Sequence, residues 1–342
     1  METTFRLPGE IVRPFSSRAG VRCRGNSQLL QRALVDFGAE ESFGKASVRV
    51  REHYGIVVPA GNIRRTTLEH GARMGAAEAP AGDERDPAAC IVAQLDGSMV
   101  PIVTVPPAAE GDPADGRKRR ELSYNEARLA VARESTQERP FVAATMGSVD
   151  AIGDGLLEAA QRAGLGPGTI VHGVGDGIPW VRNQMLRIFA DHEIRFTVDF
   201  YHLSEYLAEA SKVCAPQAPD AWFSSQKLRM LNDQTGEVIA ALKPYREPED
   251  VLDVDAPVRA AHRYLSNRPG QFQYAEARAK KLPIGSGEVE GGHRSVYQKR
   301  IDVSGAWWTV ENADAMLQLR AARHNSDWED YWTRDTCQDM AA

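Results

Sequence analysis

Thr169-Ile-Val-His-Gly-Val-Gly-Asp-Gly-Ile-Pro-Trp180 runs mostly apolar to Val174, breaks at Gly-Asp-Gly, and meets a proline where a helical period begins. A short apolar run bounded by glycines predicts a strand buried on both faces over residues 169–174. Proline suits a first helical turn, so residues 179–190 read as a helix. Residues 195–200, rich in β-branched and aromatic side chains, predict the next strand. Strand, helix, strand in this order is a parallel crossover unit and places the chain in the α/β class.

Working upstream, residues 90–95 and 99–105 predict two strands, with Asp96-Gly97-Ser98 as a hairpin turn between them. Residues 126–132 and 141–145 are further strand candidates, and a helix is expected from about 149 to 163. Residues 106–116 read as a long loop ending in the basic run Arg117-Lys118-Arg119-Arg120, which solvated surface alone would also explain. Near the start, apolar spacing predicts helices over 27–37, 42–54 and 62–73, with Ser42 as a cap and Gly55 as a stop. Helices joined by a short glycine-containing link resemble a helix-turn-helix. Downstream, residues 203–274 read almost entirely as helices and loops.

The expected organisation is therefore a helical, DNA-binding unit (1–80), a Pro/Gly/acid-rich linker (81–88), a core (89–204), a helical insertion (205–282), a segment completing the core (283–333) and a tail (334–342). A mixed sheet reached in this order matches a ribonuclease H-like core.

Across 342 residues, 42% hydrophobic and 26% charged composition excludes a mainly disordered or fibrous protein. No apolar stretch is long enough to span a membrane, and residues 1–10 lack the pattern of a secretory signal, so a cytoplasmic, nucleoid-associated protein is expected. Cys23, Cys90, Cys214 and Cys337 are scattered without zinc spacing and read as reduced thiols. The net charge of −6 excludes a positive field over the whole chain. The imbalance is local: residues 1–80 hold 12 Lys/Arg against 8 Asp/Glu, residues 278–323 hold 8 against 5, and residues 205–277 hold 8 against 11. An acidic polymer would sit at the two basic ends.

Three carboxylates fall where regular structure should end: Asp96 at the expected turn, Asp176 between two glycines after the buried strand, and Glu290 where Gly285-Ser-Gly287 opens a helix. If they converge on one sheet face, they form an oxygen-rich site for two Mg²⁺ (or Mn²⁺) ions of the kind that clamps a phosphodiester. Each has a plainer reading. Asp96 suits a turn, and Glu290 suits a first helical turn. Asp150 and Asp154 rival Asp176, and Glu288 rivals Glu290. Asp199-Phe-Tyr-His202 follows the last strand; His202 would orient substrate or ligand carboxylates there, or serve as a structural histidine.

These residues carry a resemblance. The blocks Val171-His-Gly-Val-Gly-Asp-Gly-Ile-Pro-Trp180, Val198-Asp-Phe-Tyr-His-Leu203, Arg263-Tyr-Leu-Ser-Asn267 and Leu282-Pro-Ile-Gly-Ser-Gly-Glu-Val-Glu290 resemble bacterial insertion-sequence DDE transposases of the ISKra type, related to Mutator-like transposases. So do Gly291-Gly-His-Arg294, Gln298-Lys-Arg300, Gly305-Ala-Trp-Trp308 and Met316-Leu-Gln-Leu-Arg320, and the likeness covers about residues 89–333. The resemblance implies a ribonuclease H-like core with an all-helical insertion. Asp96, Asp176 and Glu290 would be the triad, with Asp199 and His202 in the acid-x-x-histidine signature. It further implies Mg²⁺ or Mn²⁺ as the cofactor and a multimer working on transposon ends.

The expected activity is thus strand cleavage and strand transfer on double-stranded DNA by a homo-oligomer. Arg64, Arg65 and Thr66 would contact the terminal inverted repeats, and Arg294, Lys299 and Arg300 would follow phosphates near the triad. Trp307 and Trp308 read as core or insertion contacts, or as base-stacking groups. Two other readings share the fold: an inactive DNA-binding remnant, and a ribonuclease H-like nuclease that does not join strands.

Overall fold

The computed structural model describes residues 5–7, 10–12, 14, 18, 26–76, 86–108 and 115–341. Two short antiparallel strands, β1 (Phe5–Leu7) and β2 (Glu10–Val12), come first. Three helices follow, α1 (Gln28–Glu40), α2 (Phe43–Tyr54) and α3 (Ala60–Ala76). Ser27 and Ser42 cap α1 and α2 with their hydroxyls, and α2 stops at Gly55 in the left-handed region, as the sequence implied.

The sheet has five strands: β3 (Cys90–Thr104), β4 (Glu121–Glu134), β5 (Phe141–Thr145), β6 (Ile170–Gly175) and β7 (Glu193–Val198). Their spatial order is β5-β4-β3-β6-β7, with β3, β4 and β5 antiparallel and β6 and β7 parallel to β3. Helices α4 (Val149–Arg162) and α5 (Pro179–Ile188) make the connections that parallel strands require. The chain is therefore mixed α/β.

The expected hairpin at Asp96-Gly97-Ser98 does not exist. β3 runs straight through, with Asp96 opposite Leu129, Gly97 opposite Arg128 and Ser98 opposite Ala127. Aspartate before glycine is a strong turn signal, but here the glycine serves close approach. A Cβ at position 97 would lie 2.1 Å from Glu126 Oε1. The strand expected over 195–200 also ends early, because Asp199 turns the chain into a helix.

Side chains alternate across β3 and β4, so each face has its own core. Ile91, Ala93, Leu95, Ala130 and Ala132 pack with Leu156 of α4 and Met185 of α5. Val100, Ile102, Leu129 and Val131 form the other core with Met316, Leu317 and Leu319 of a long late helix.

Five helices leave the sheet after β7: α6 (Phe200–Cys214), α7 (Pro219–Leu231), α8 (Thr235–Leu242), α9 (Pro257–Ser266) and α10 (Tyr274–Ala279). Their Leu203, Leu207, Met230, Val238 and Tyr264 extend the first core. The chain then returns through α11 (Gly287–Gly292), a π-helical turn (His293–Gln298), α12 (Val310–His324) and α13 (Trp328–Ala341), whose course includes most of the segment read as a tail.

The N-terminal helices join the second core, since Val35, Ala39 and Leu68 pack within it. His70 of α3 holds Tyr331 of α13 (2.7 Å) and Gln31 of α1 (3.0 Å). Arg323 of α12 pairs with Asp36. Of the expected linker, residues 86–88 are described and bond to the turn before β6: Ala88 N–H donates to Gly164 O, and Thr169 Oγ1 donates to Ala88 O. The remainder lies outside the described residues.

Among the described residues, no helix is long and apolar enough to cross a membrane. Cys90 and Cys214 are free thiols, and burial pushes Cys214 up to about 11.

Candidate functional site

The site grows from the register of two parallel strands. Gln94 of β3 is paired with Val174 of β6. Beyond this last pair stand Asp96, still within β3, and Asp176, one residue past the end of β6. Their side chains sense each other. Asp176 is held above the usual carboxylate range, mainly by burial and further by the Asp96 charge, while the Ile178 N–H, His202 and Arg268 act in the opposite sense. The β6–α5 turn fixes Asp176. Its Oδ1 accepts from Ile178 N (2.9 Å), and Gly177 next to it has a φ of +83°, which only glycine adopts without strain. A Cβ there would also lie 2.6 Å from Arg268 Nε.

The helical insertion clamps this turn from outside. Tyr264 Oη donates to Asp176 O at 2.5 Å, and Arg268 Nε donates to Gly177 O at 3.0 Å. Arg268 lies over the Tyr264 ring at 3.9 Å, and Tyr264 stacks on Tyr206 of α6 at 4.4 Å. The Arg263-Tyr-Leu-Ser-Asn267 block was visible in the sequence, but only the fold shows Tyr264 gripping the Asp176 backbone.

Asp96 meets a residue to which the sequence gave no role. His293 is buried, with Nε2 3.2 Å from Asp96 Oδ2, within ion-pair range but off the line of a hydrogen bond. Its Nδ1 meets Ser98 Oγ at 3.1 Å. Gln94, Asp96 and Ser98 alternate onto one face of β3, and residues 285–298 cover that face. Gln94 Oε1 accepts from Val289 N (2.9 Å), and its Nε2 donates to Gly285 O (3.4 Å).

Glu290 is exposed on α11, three residues before the buried His293 that opens the π-helical turn. Its rival Glu288 is committed elsewhere, accepting from Arg133 Nε (2.9 Å) and Nη2 (2.6 Å) of β4. Asp150 and Asp154 are tied to Arg187 of α5, away from the Asp96–Asp176 pair.

Asp199 is structural. It caps α6 by accepting from Tyr201 N (2.6 Å) and His202 N (3.0 Å), and its other oxygen accepts from Ser286 N (2.6 Å) and the Ser286 hydroxyl. His202 projects from the first turn of α6, partly exposed, with Nδ1 3.6 Å from Glu205.

Asp96 and Asp176 are oxygen donors whose crowding a divalent cation would relieve, so the donor set suits Mg²⁺. Among the described residues no three His, Cys, Asp or Glu side chains stand close enough in this conformation to hold a metal ion.

Two expected DNA contacts need correction. Thr66 is buried at 3% exposure, with its side chain in the helix-packing face of α3. Arg300 is equally buried; its Nε donates to Gly38 O (3.0 Å), and its guanidinium lies 4.3 Å from the Phe43 ring centroid and 5.1 Å from that of Trp308. Both were read from polarity in a basic stretch, and packing decided otherwise. Arg64, Arg65, Arg294 and Lys299 are exposed. Trp308 is core, whereas Trp307 is 54% exposed.

No family model matches the chain, and no curated protein matches it significantly.

Proposed function

We propose that this chain is the DNA strand-transfer enzyme of an insertion sequence, a DDE-type transposase on a ribonuclease H-like core. The observation that carries the reading is that β3 and β6, paired in parallel up to Gln94 and Val174, leave Asp96 near enough for its charge to act on Asp176. Three antiparallel strands followed by two parallel ones beyond the first support the core assignment. So does an all-helical excursion between β7 and the glutamate helix.

Asp96, Asp176 and Glu290 would hold two Mg²⁺ (or Mn²⁺) ions. Bound, such ions lower the pKa of an attacking water or 3′-hydroxyl and neutralise charge developing at phosphorus. The chain itself supplies position. Tyr264 and Arg268 fix the Asp176 turn, His293 packs beside Asp96, and Arg133 keeps Glu288 out of the site. His202, close enough to act electrostatically on Asp176, orients the substrate. Exposed Arg64, Arg65, Arg294 and Lys299 follow phosphates of double-stranded transposon ends and target DNA. The enzyme works as a homo-oligomer on DNA at the nucleoid.

The test is a strand-transfer assay with Mg²⁺ on duplexes carrying the inverted repeats that flank the gene. Cleaved ends and joined products are expected, and Asp176→Asn should abolish both. Full cleavage by Asp176→Asn would overturn the reading. Cleavage without joined products would select the nuclease instead.

A further inference from the structure

A pocket of about 190 Å³ opens where α2, α3 and the turn at 305–308 meet, outside the carboxylate site. Its walls include Phe43, Arg64, Leu68, Arg300, Trp307 and Trp308. Three features mark it as built for a ligand. Trp307 is more than half exposed, although a large aromatic side chain gains most from burial. Arg300, 3% exposed, lies against the Phe43 and Trp308 rings, yet its Nη2 is buried without a hydrogen-bond partner. A buried donor lacking an acceptor is unfavourable, and a bound acceptor would relieve it. Finally, the two basic stretches of an otherwise acidic chain converge here. Residues 1–80 supply Phe43, Arg64 and Leu68, and residues 278–323 supply Arg300, Trp307 and Trp308. Arg120, at the end of the basic run, lies 5.6 Å from the Trp307 ring centroid.

The volume is below the roughly 300–1,000 Å³ of pockets for drug-sized ligands, so it has room for one planar ring system. We propose that the pocket receives an unpaired nucleobase of DNA. The ring packs against Trp307, an acceptor on its edge meets Arg300 Nη2, and the adjoining phosphate lies on exposed Arg64. A base inside a duplex is stacked on both faces and paired at its edge, so the ligand is a base at a frayed or single-stranded position. Every base offers a π-face, and such a pocket therefore tolerates any sequence. The inference rests on DNA being the substrate of this chain, but not on the carboxylate chemistry.

Binding is measured by fluorescence anisotropy in EDTA, so that metal-dependent cleavage plays no part. The probes are a short labelled oligothymidylate and one duplex made both blunt and with an unpaired thymidine overhang. The chain should bind the overhang duplex more tightly than the blunt one. Trp307→Ala should lose roughly five- to a hundredfold in oligothymidylate affinity, the usual range for a base-stacking group. It should also lose the preference for the overhang, while Trp307→Phe keeps most of both. Arg64→Ala should reduce the slope of log affinity against log salt by about 0.7, the value for one single-strand phosphate contact. Trp307 lies outside the core, so unchanged far-ultraviolet dichroism is expected for both substitutions and is checked first. Wild-type affinity and wild-type preference in Trp307→Ala would overturn the pocket assignment. Loss of cleavage with Trp307-dependent binding intact would instead remove the strand-transfer reading and leave the pocket standing.

Discussion

His293 Nε2 stands 3.2 Å from Asp96 Oδ2, and the same ring reaches Ser98 Oγ through Nδ1 at 3.1 Å. The Nε2 edge of the buried ring faces the carboxylate without a hydrogen bond, so the ring limits the directions into which Asp96 can turn. His293 is thus a positioning residue. His293→Ala should lower Mg²⁺-dependent strand cleavage about 10–100-fold and raise the Mg²⁺ concentration needed for half-maximal rate. His293→Gln, which keeps a hydrogen-bonding side chain, should lie between. An unchanged Mg²⁺ requirement in both variants would remove the role.

Asp199 accepts four hydrogen bonds and is 3% exposed. Asp199→Ala removes a helix cap and strands the Ser286 donors, which should cost about 3 kcal/mol of unfolding free energy. Asp199→Ser keeps a cap but cannot span to Ser286, so its loss should be smaller. Urea unfolding of the two variants checks the order.

Burial holds His172 below its ordinary value near 6.5, while its Nε2 donates to Pro283 O at 2.7 Å. The unfolded chain therefore binds this proton more readily than the folded one. The stability the neutral ring contributes is complete above pH 6.5 and is lost as pH falls below it. Denaturant midpoints measured from pH 7.5 down to about 5 should fall, and His172→Gln should flatten that slope. Equal slopes would contradict the assignment.

Burial also pushes Arg300 down to about 10 and leaves it dependent on the Gly38 carbonyl and two aromatic faces. Lysine reproduces neither the planar stacking nor the Nε donor. Arg300→Lys should therefore destabilise the fold by about 2 kcal/mol, read as a lower urea midpoint with an unchanged slope.

The parallel half of the sheet was legible because Thr169–Val174 is mostly apolar and Pro179 opens a helix, both local signals. The first strand was not. Asp96-Gly97 is locally a turn, and only the long ladder to β4 and the approach of Glu126 to Gly97 keep it extended. Asp176 was legible from its glycines. That it feels the Asp96 charge depends on the pairing of β3 with β6, which neither segment encodes alone. His293 and Tyr264 sat in quoted blocks without roles, because their partners are 197 and 88 residues away in sequence. Thr66 and Arg300 were misread for the same reason: their neighbours come from distant helices.

The stem of the helical excursion is closed on itself. Phe200 N–H donates to Ile284 O (2.9 Å), and Asp199 grips Ser286, while Gln94 holds the same returning strand of chain from the sheet side. Changes in length inside the excursion need not drag Glu290 from its station, provided Leu207, Met230 and Val238 keep their places in the first core and Tyr264 and Arg268 keep their grip on the Asp176 turn. The clasped prongs anchor the base of the lobe, and its outer surface is where evolution, or a protein engineer, has freedom to graft.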